Sequence, residues 1–189
     1  MLLEELSYMH IVSSLEDIPP LSSPIALSIG TFDGVHIGHQ YLLSFLHAQG
    51  SSVVITFDPH PLEVLKEEKI VLLCSLQERL ERIKNEGIDV ACVLPFDKKL
   101  ANQEYKDFLF SIRQYVPFDI LVLGEGARFG REGKGTKEAI ELVAKESNFT
   151  VLYLPKVEKE GKIVSSRLIR ELVSQKAEDQ VARLLNKKG

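Results

Sequence analysis

The stretch Gly30-Thr31-Phe32-Asp33-Gly34-Val35-His36-Ile37-Gly38-His39 sets two imidazoles three positions apart, with glycines before and between them. An apolar run precedes it and an apolar helical period follows, so it joins a strand to a helix. The first amides of a helix have no partner within it, and the positive end of the helix dipole lies there; together they attract anions. Histidines at that place add directed donors without a fixed full charge. This combination suits the phosphate chain of a nucleotide better than a carbonyl substrate. On residue type alone, two other readings stay open. One is a pair of structural histidines at a helix start. The other is a three-histidine metal site that adds His60, although no carboxylates cluster nearby and the glycines would then have no role. His10 and His47 lack this context and read as surface residues.

A second group lies late in the chain, at Val164-Ser165-Ser166-Arg167-Leu168-Ile169-Arg170. The hydroxyls are helix N-caps, a position that can also hold a phosphate, and Arg170 follows Ser166 by one helical turn as a fork donor. Charge is divided accordingly. Residues 156–189 carry nine Lys or Arg against five Asp or Glu, whereas residues 1–155 carry 14 against 22. The histidine loop has no nearby cation in sequence, so the late segment is expected to supply one. A third stretch, Gly124 to Thr136, is too glycine-rich for a long helix and lacks the Walker spacing. Its Arg128, Arg131 and Lys134 suit either a mobile phosphate lid or a surface turn.

The elements that must position these groups alternate. Strands are expected at Ile25–Ile29, Val53–Phe57, Val90–Leu94, Ile120–Leu123 and Val151–Leu154. Helices are expected at Gly38–Gln49, from the Ser75/Glu78 capping box to Gly87, and at Glu104–Val116 and Thr136–Glu146. Tyr105, Phe108, Leu109 and Ile112 share a helical face that reads as core. Strands separated by helices predict an α/β fold, a parallel sheet wound on both faces, with ligands at the carboxyl ends of the strands. With 189 residues, 44% hydrophobic and 26% charged, the chain is one domain's worth of core. A formal net charge of −4 argues against a dedicated nucleic-acid binder, and no run approaches the ~20 apolar residues of a membrane span. No Lys or Arg precedes Lys66, so a basic secretory leader is not expected. With Cys74 and Cys92 far apart, the cytoplasm is the expected compartment.

With these residues placed, the chain resembles the FMN adenylyltransferase module of the bifunctional riboflavin kinase/FAD synthetase family, part of the H-x-G-H nucleotidylyltransferase superfamily. The likeness rests on Gly30 to Gln40, Thr56 to Pro61, Gln77 to Arg79 with Gly87 to Asp89, the Arg128-Phe129-Gly130 loop, and Ser165-Ser166 with Ile169-Arg170. It implies a single Rossmann-like nucleotidylyltransferase domain over residues 1–189, without the riboflavin kinase domain. The implied reaction transfers AMP from ATP, with Mg²⁺, to FMN, giving FAD and pyrophosphate. His36, His39 and Arg170 would be catalytic. Gly30, Phe32, Asp33, Gly34, Arg128, Ser165 and Ser166 would bind ATP, and Asp58, Pro59, His60 and Pro61 would line the flavin site; no metal ligand is assigned. The expected partners are ATP and FMN, with neither nucleic acid nor membrane. The family usually has Asp or Asn followed by Phe where this chain has Gly126 and Ala127, and commonly a Thr at Arg167. Another phosphorylated acceptor, or a flavin- or nucleotide-binding protein without catalysis, are the alternatives.

Overall fold

A computed structural model describes residues 8–185. The Met1–Leu6 segment and the terminal residues from Asn186 lie outside them. In chain order the described elements are β1 (His10–Val12), β2 (Ile25–Ile29), α1 (Ile37–His47), β3 (Ser51–Asp58), α2 (Pro61–Lys66), α3 (Leu76–Asn85) and β4 (Val90–Pro95). They continue with α4 (Lys98–Ala101), α5 (Tyr105–Tyr115), β5 (Ile120–Gly124), α6 (Lys137–Ser147) and β6 (Thr150–Leu154). A hairpin of β7 (Glu158–Lys159) and β8 (Lys162–Ile163) then leads to α7 (Ser166–Ser174) and α8 (Glu178–Leu184).

The main sheet has six strands in the order β1-β4-β3-β2-β5-β6, and each neighbouring pair is parallel. Parallel strands are covered on both faces, so their sequences are apolar runs rather than alternations; β2 and nearly all of β3 are buried. On one face Leu27, Ile55, Cys92 and Leu121 pack with Phe108 and Ile112 of α5 and Ile140 of α6. On the other, Ala26, Val54, Ala91 and Val122 pack with Leu42, Leu43 and Leu46 of α1 and Ile83 of α3. Helices on both faces make the domain doubly wound, as expected. A smaller apolar cluster joins α7 and α8 to Ile37 and Leu73.

Local chemistry sets the helix starts. Ser75 accepts from the Glu78 amide while Glu78 bonds back to Ser75, the expected capping box. Thr136 caps α6. Between β7 and β8, Glu160 and Gly161 both have positive φ, as a two-residue turn of the primed type requires. Among the described residues no helix is long and apolar enough to cross a membrane.

Candidate active site

The sheet's strand order reverses beside β2, whose neighbours are β3 and β5, and crevices form at the carboxyl ends of strands at such a place. A cavity of about 520 Å³ lies there. It is lined by Ile29 at the end of β2, Gly30 after it, Gly124 at the end of β5, Thr31, Phe32, His39 and the loop from Glu125 to Arg128, of which Thr31, His39, Glu125 and Arg128 bring polar side chains. An apolar, largely aromatic wall is added by Phe57, Pro61, Leu65, Phe96, Leu100, Phe108 and Phe129. The rings of Phe57 and Phe96 meet edge to face at 5.4 Å, and Phe108 meets Phe129 at 6.1 Å.

The histidine loop reaches this cavity through a tight turn. Phe32, Gly34 and Val35 all have positive φ, a costly backbone for phenylalanine and valine that surrounding packing must hold. His36 caps α1, its Nδ1 accepting from the His39 amide at 3.3 Å. With Nδ1 an acceptor, the proton of a neutral His36 ring resides on Nε2. The His36 and His39 rings stack with centroids 3.7 Å apart, and Phe32 packs edge to face on His39 at 5.2 Å. Burial lowers the His36 pKa to about 4 and pushes that of His39 down too, helped by His36. Both rings are therefore neutral at pH 7, and among the described residues the buried His39 Nδ1 has no hydrogen-bond partner. Glycines 30 and 38 have a role different from close ligand approach. A Cβ on Gly38 would lie 3.2 Å from the His36 ring, and one on Gly30 would lie 3.0 Å from the Phe32 ring. Each glycine makes room for a ring of the site itself.

The structure divides the expected site residues into two groups. Gly30, Phe32, His39, Arg128 and Pro61 line the cavity, with His36 stacked behind His39. Asp33, Gly34, Ser165, Ser166 and Arg170 lie away from its wall, at the back of the loop. The buried Asp33 carboxylate accepts from the Leu73 amide at 3.0 Å and from Arg170 Nη2 at 2.5 Å. Arg170 Nε donates to the Val71 carbonyl and Ser166 Oγ to the Asp33 carbonyl. Ser165 caps α7 by accepting from the Leu168 amide. Gly34 donates to Cys74 Sγ, and a Cβ there, at φ +80, would strike Leu73 and Leu185. The late cation thus arrives where the charge division predicts, but neutralises Asp33 instead of facing the cavity.

The expected flavin-site run is also mostly displaced. Asp58 and Pro59 are exposed outside the cavity wall, and the buried His60 caps α2 by accepting from the Leu62 amide. Only Pro61 of the four faces the cavity. The lid expectation changes likewise. Arg131 pairs with Glu104, Lys134 pairs with Glu132, and Gly130 packs so closely on Tyr105 that a Cβ would lie 2.6 Å from its backbone. Of the three lid cations only Arg128 lines the cavity. Gly126, at φ +83, has a conformation that favours glycine.

Sequence reasoning assigned none of the aromatic wall to the site. Phe108 reads as core, Phe57 lies in β3, and Phe96 and Phe129 follow β4 and β5, with no local pattern to join them. Among the described residues no group of three or more His, Cys, Asp or Glu could hold a metal ion.

Known proteins match this arrangement. The structure resembles a protein titled as a macrolide-efflux protein from Streptococcus pneumoniae, with a TM-score of 0.81 and 25% identity over 95% of this chain and 61% of that one. A pantoate-beta-alanine ligase from Francisella tularensis shares the fold at a TM-score of 0.61 and 14% identity, over 95% of this chain and 85% of that one. In sequence, bifunctional riboflavin kinase/FMN adenylyltransferases from Buchnera aphidicola of Acyrthosiphon pisum and from Escherichia coli K12 are each 28% identical, over 88% and 82% of this chain. The chain spans 56% and 51% of their respective lengths. The FAD synthetase family model matches residues 18–168, from the loop before β2 to the start of α7. With the cavity, its histidine loop and the α7 cap all inside that match, the chain belongs to the FAD synthetase family.

Proposed function

We propose that the protein transfers the adenylyl group of ATP to the phosphate of FMN, forming FAD and releasing pyrophosphate. The observation that carries this reading is one cavity lined both by an aromatic cluster and by the histidine loop with Arg128. A flat, largely apolar flavin ring suits the aromatic cluster, and phosphates suit the polar groups.

The FMN phosphate is itself the nucleophile. One of its oxygens bonds to the α-phosphorus of ATP as the bond to the α,β-bridging oxygen breaks, and pyrophosphate leaves with the electron pair. No protein nucleophile is required, so the chain's task is in-line positioning and stabilisation of developing charge. In this reading His39, on the wall and neutral, donates to the departing phosphates; His36 fixes its plane by stacking. Gly30 and Phe32 shape the nucleotide's seat, and Arg128 brings a cation to the rim. Asp33, Gly34, Ser165, Ser166 and Arg170 act from behind by holding the loop, while Asp58, Pro59 and His60 fix the turn that presents Pro61. Magnesium would enter with ATP and supply charge neutralisation on its phosphates. The cytoplasm fits two buried free thiols.

Incubation with ATP, Mg²⁺ and FMN tests the proposal, with CTP, pantetheine phosphate and glycerol phosphate as competing substrates. FAD and pyrophosphate should appear in equal amounts. Preference for another acceptor, or binding of ATP and FMN without product, would contradict it.

A further inference from the structure

The structure assigns Arg79 as a positioning residue that aims the Phe32 amide into the cavity as a phosphate donor. Arg79 lies on α3, outside the cavity wall, and is only 6% exposed. Its Nη1 donates to the Thr31 carbonyl at 2.8 Å, to the Phe57 carbonyl at 3.0 Å and to Thr56 Oγ1 at 3.2 Å. Thr56 Oγ1 donates in turn to the Thr31 carbonyl. One guanidinium thereby fastens the loop after β2 to the end of β3. Both segments line the cavity side by side, through Thr31 and Phe32 on one and Phe57 on the other.

The Thr31–Phe32 peptide is planar, with its carbonyl and amide pointing in opposite directions. Because the carbonyl is drawn to α3, the Phe32 amide points away from α3, toward the side on which Thr31 and Phe32 line the cavity. Among the described residues no backbone or side-chain acceptor takes that amide. The cost of Arg79 gives an independent reason to assign it a task. The carboxylate that pairs with it, Asp58, is 3.8 Å away and half exposed, and among the described residues its buried Nε has no partner. A buried cation held by neutral acceptors and one distant carboxylate is costly beside an apolar side chain of similar size.

The inference rests on the proposed reading only in taking a nucleoside triphosphate as the ligand, and binding tests it without turnover. Arg79→Met removes the fork at similar volume, and Arg79→Lys keeps a point charge that can hold the Thr31 carbonyl alone. Affinities for a non-hydrolysable ATP analogue, AMP and FMN are measured by calorimetry, with melting temperature as the fold control. Arg79→Met should bind the triphosphate at least about tenfold more weakly while AMP and FMN change less than about twofold, because a donor to the outer phosphates is lost and the rest of the cavity stays. Arg79→Lys should recover part of that loss. Unchanged triphosphate affinity in Arg79→Met, or equal losses for all three ligands, overturns the assignment. Should the Met variant fail to fold, the Lys variant decides: a selective loss for triphosphate supports it, and no loss or a uniform loss overturns it. If the wild type binds triphosphate in this Arg79-dependent way but makes no FAD, the reaction fails and the positioning role stands.

Discussion

The turn from Gly30 to His36 has a front that faces the cavity and a back that faces α3 and α7, and the two are built from different chemistry. The front presents a glycine, an aromatic ring and the neutral imidazole of His39. At the back, Asp33, Ser166, Arg170 and Arg82 are engaged with one another or with loop carbonyls, Arg82 holding the Gly34 carbonyl. In the proposed reading the residues that look most reactive in sequence are therefore largely the frame, and the cavity face carries few fixed charges. Such a division keeps donors in place without a permanent salt bridge that a triphosphate would have to displace.

Substitutions can break this contrast, beginning with the frame. Asp33→Ala leaves the Arg170 guanidinium unpaired and the Leu73 amide without its acceptor, and it should lower the unfolding free energy by about 3 kcal/mol, read by urea denaturation. Acid should act next. The pKa of His36 is about 4 in the folded chain against an ordinary 6.5, so between those values the unfolded chain binds a proton that the folded chain refuses. The stability of the neutral ring is intact above pH 6.5 and falls as pH drops toward about 4, by roughly 3 kcal/mol in full. Denaturation curves across that range should flatten in His36→Gln. The front behaves differently: His39→Ala should slow turnover about 100-fold while lowering stability less than Asp33→Ala does, measured by product formation and urea denaturation. Smallest is Ser165→Ala, which removes the α7 cap and should cost about 1 kcal/mol with little effect on turnover.

How far the sequence reveals this depends on whether the signal is local. The Ser75/Glu78 capping box and the apolar runs of β2 to β6 are encoded within a few residues, and they appear within one to two positions of expectation. Several short elements escape that logic, β1 and α2 among them. β1 is a three-residue edge strand with exposed positions, too short to show a period. The prolines after β3 read as a stop, yet Pro61 starts α2, because a helix's first position needs no amide donor. In the site, the histidine loop and the late arginine are legible as a pair that must meet. Their meeting point is not, since the choice between facing a phosphate and pairing with Asp33 is made by the docking of α7 more than 130 positions away. The aromatic wall is hidden for the same reason: its rings come from different elements, and only the sheet order brings them together.

The central claim is that the front of the loop performs the chemistry while the back holds it, and one paired measurement tests it most directly. FAD formation from ATP, Mg²⁺ and FMN is followed in the wild type and in His39→Ala, alongside the unfolding free energy of each and of Asp33→Ala. FAD should form from the wild type, the rate should fall about 100-fold in His39→Ala, and the stability of that variant should fall by less than that of Asp33→Ala. Wild-type protein that forms no FAD, or a His39→Ala variant that keeps its rate, would contradict it.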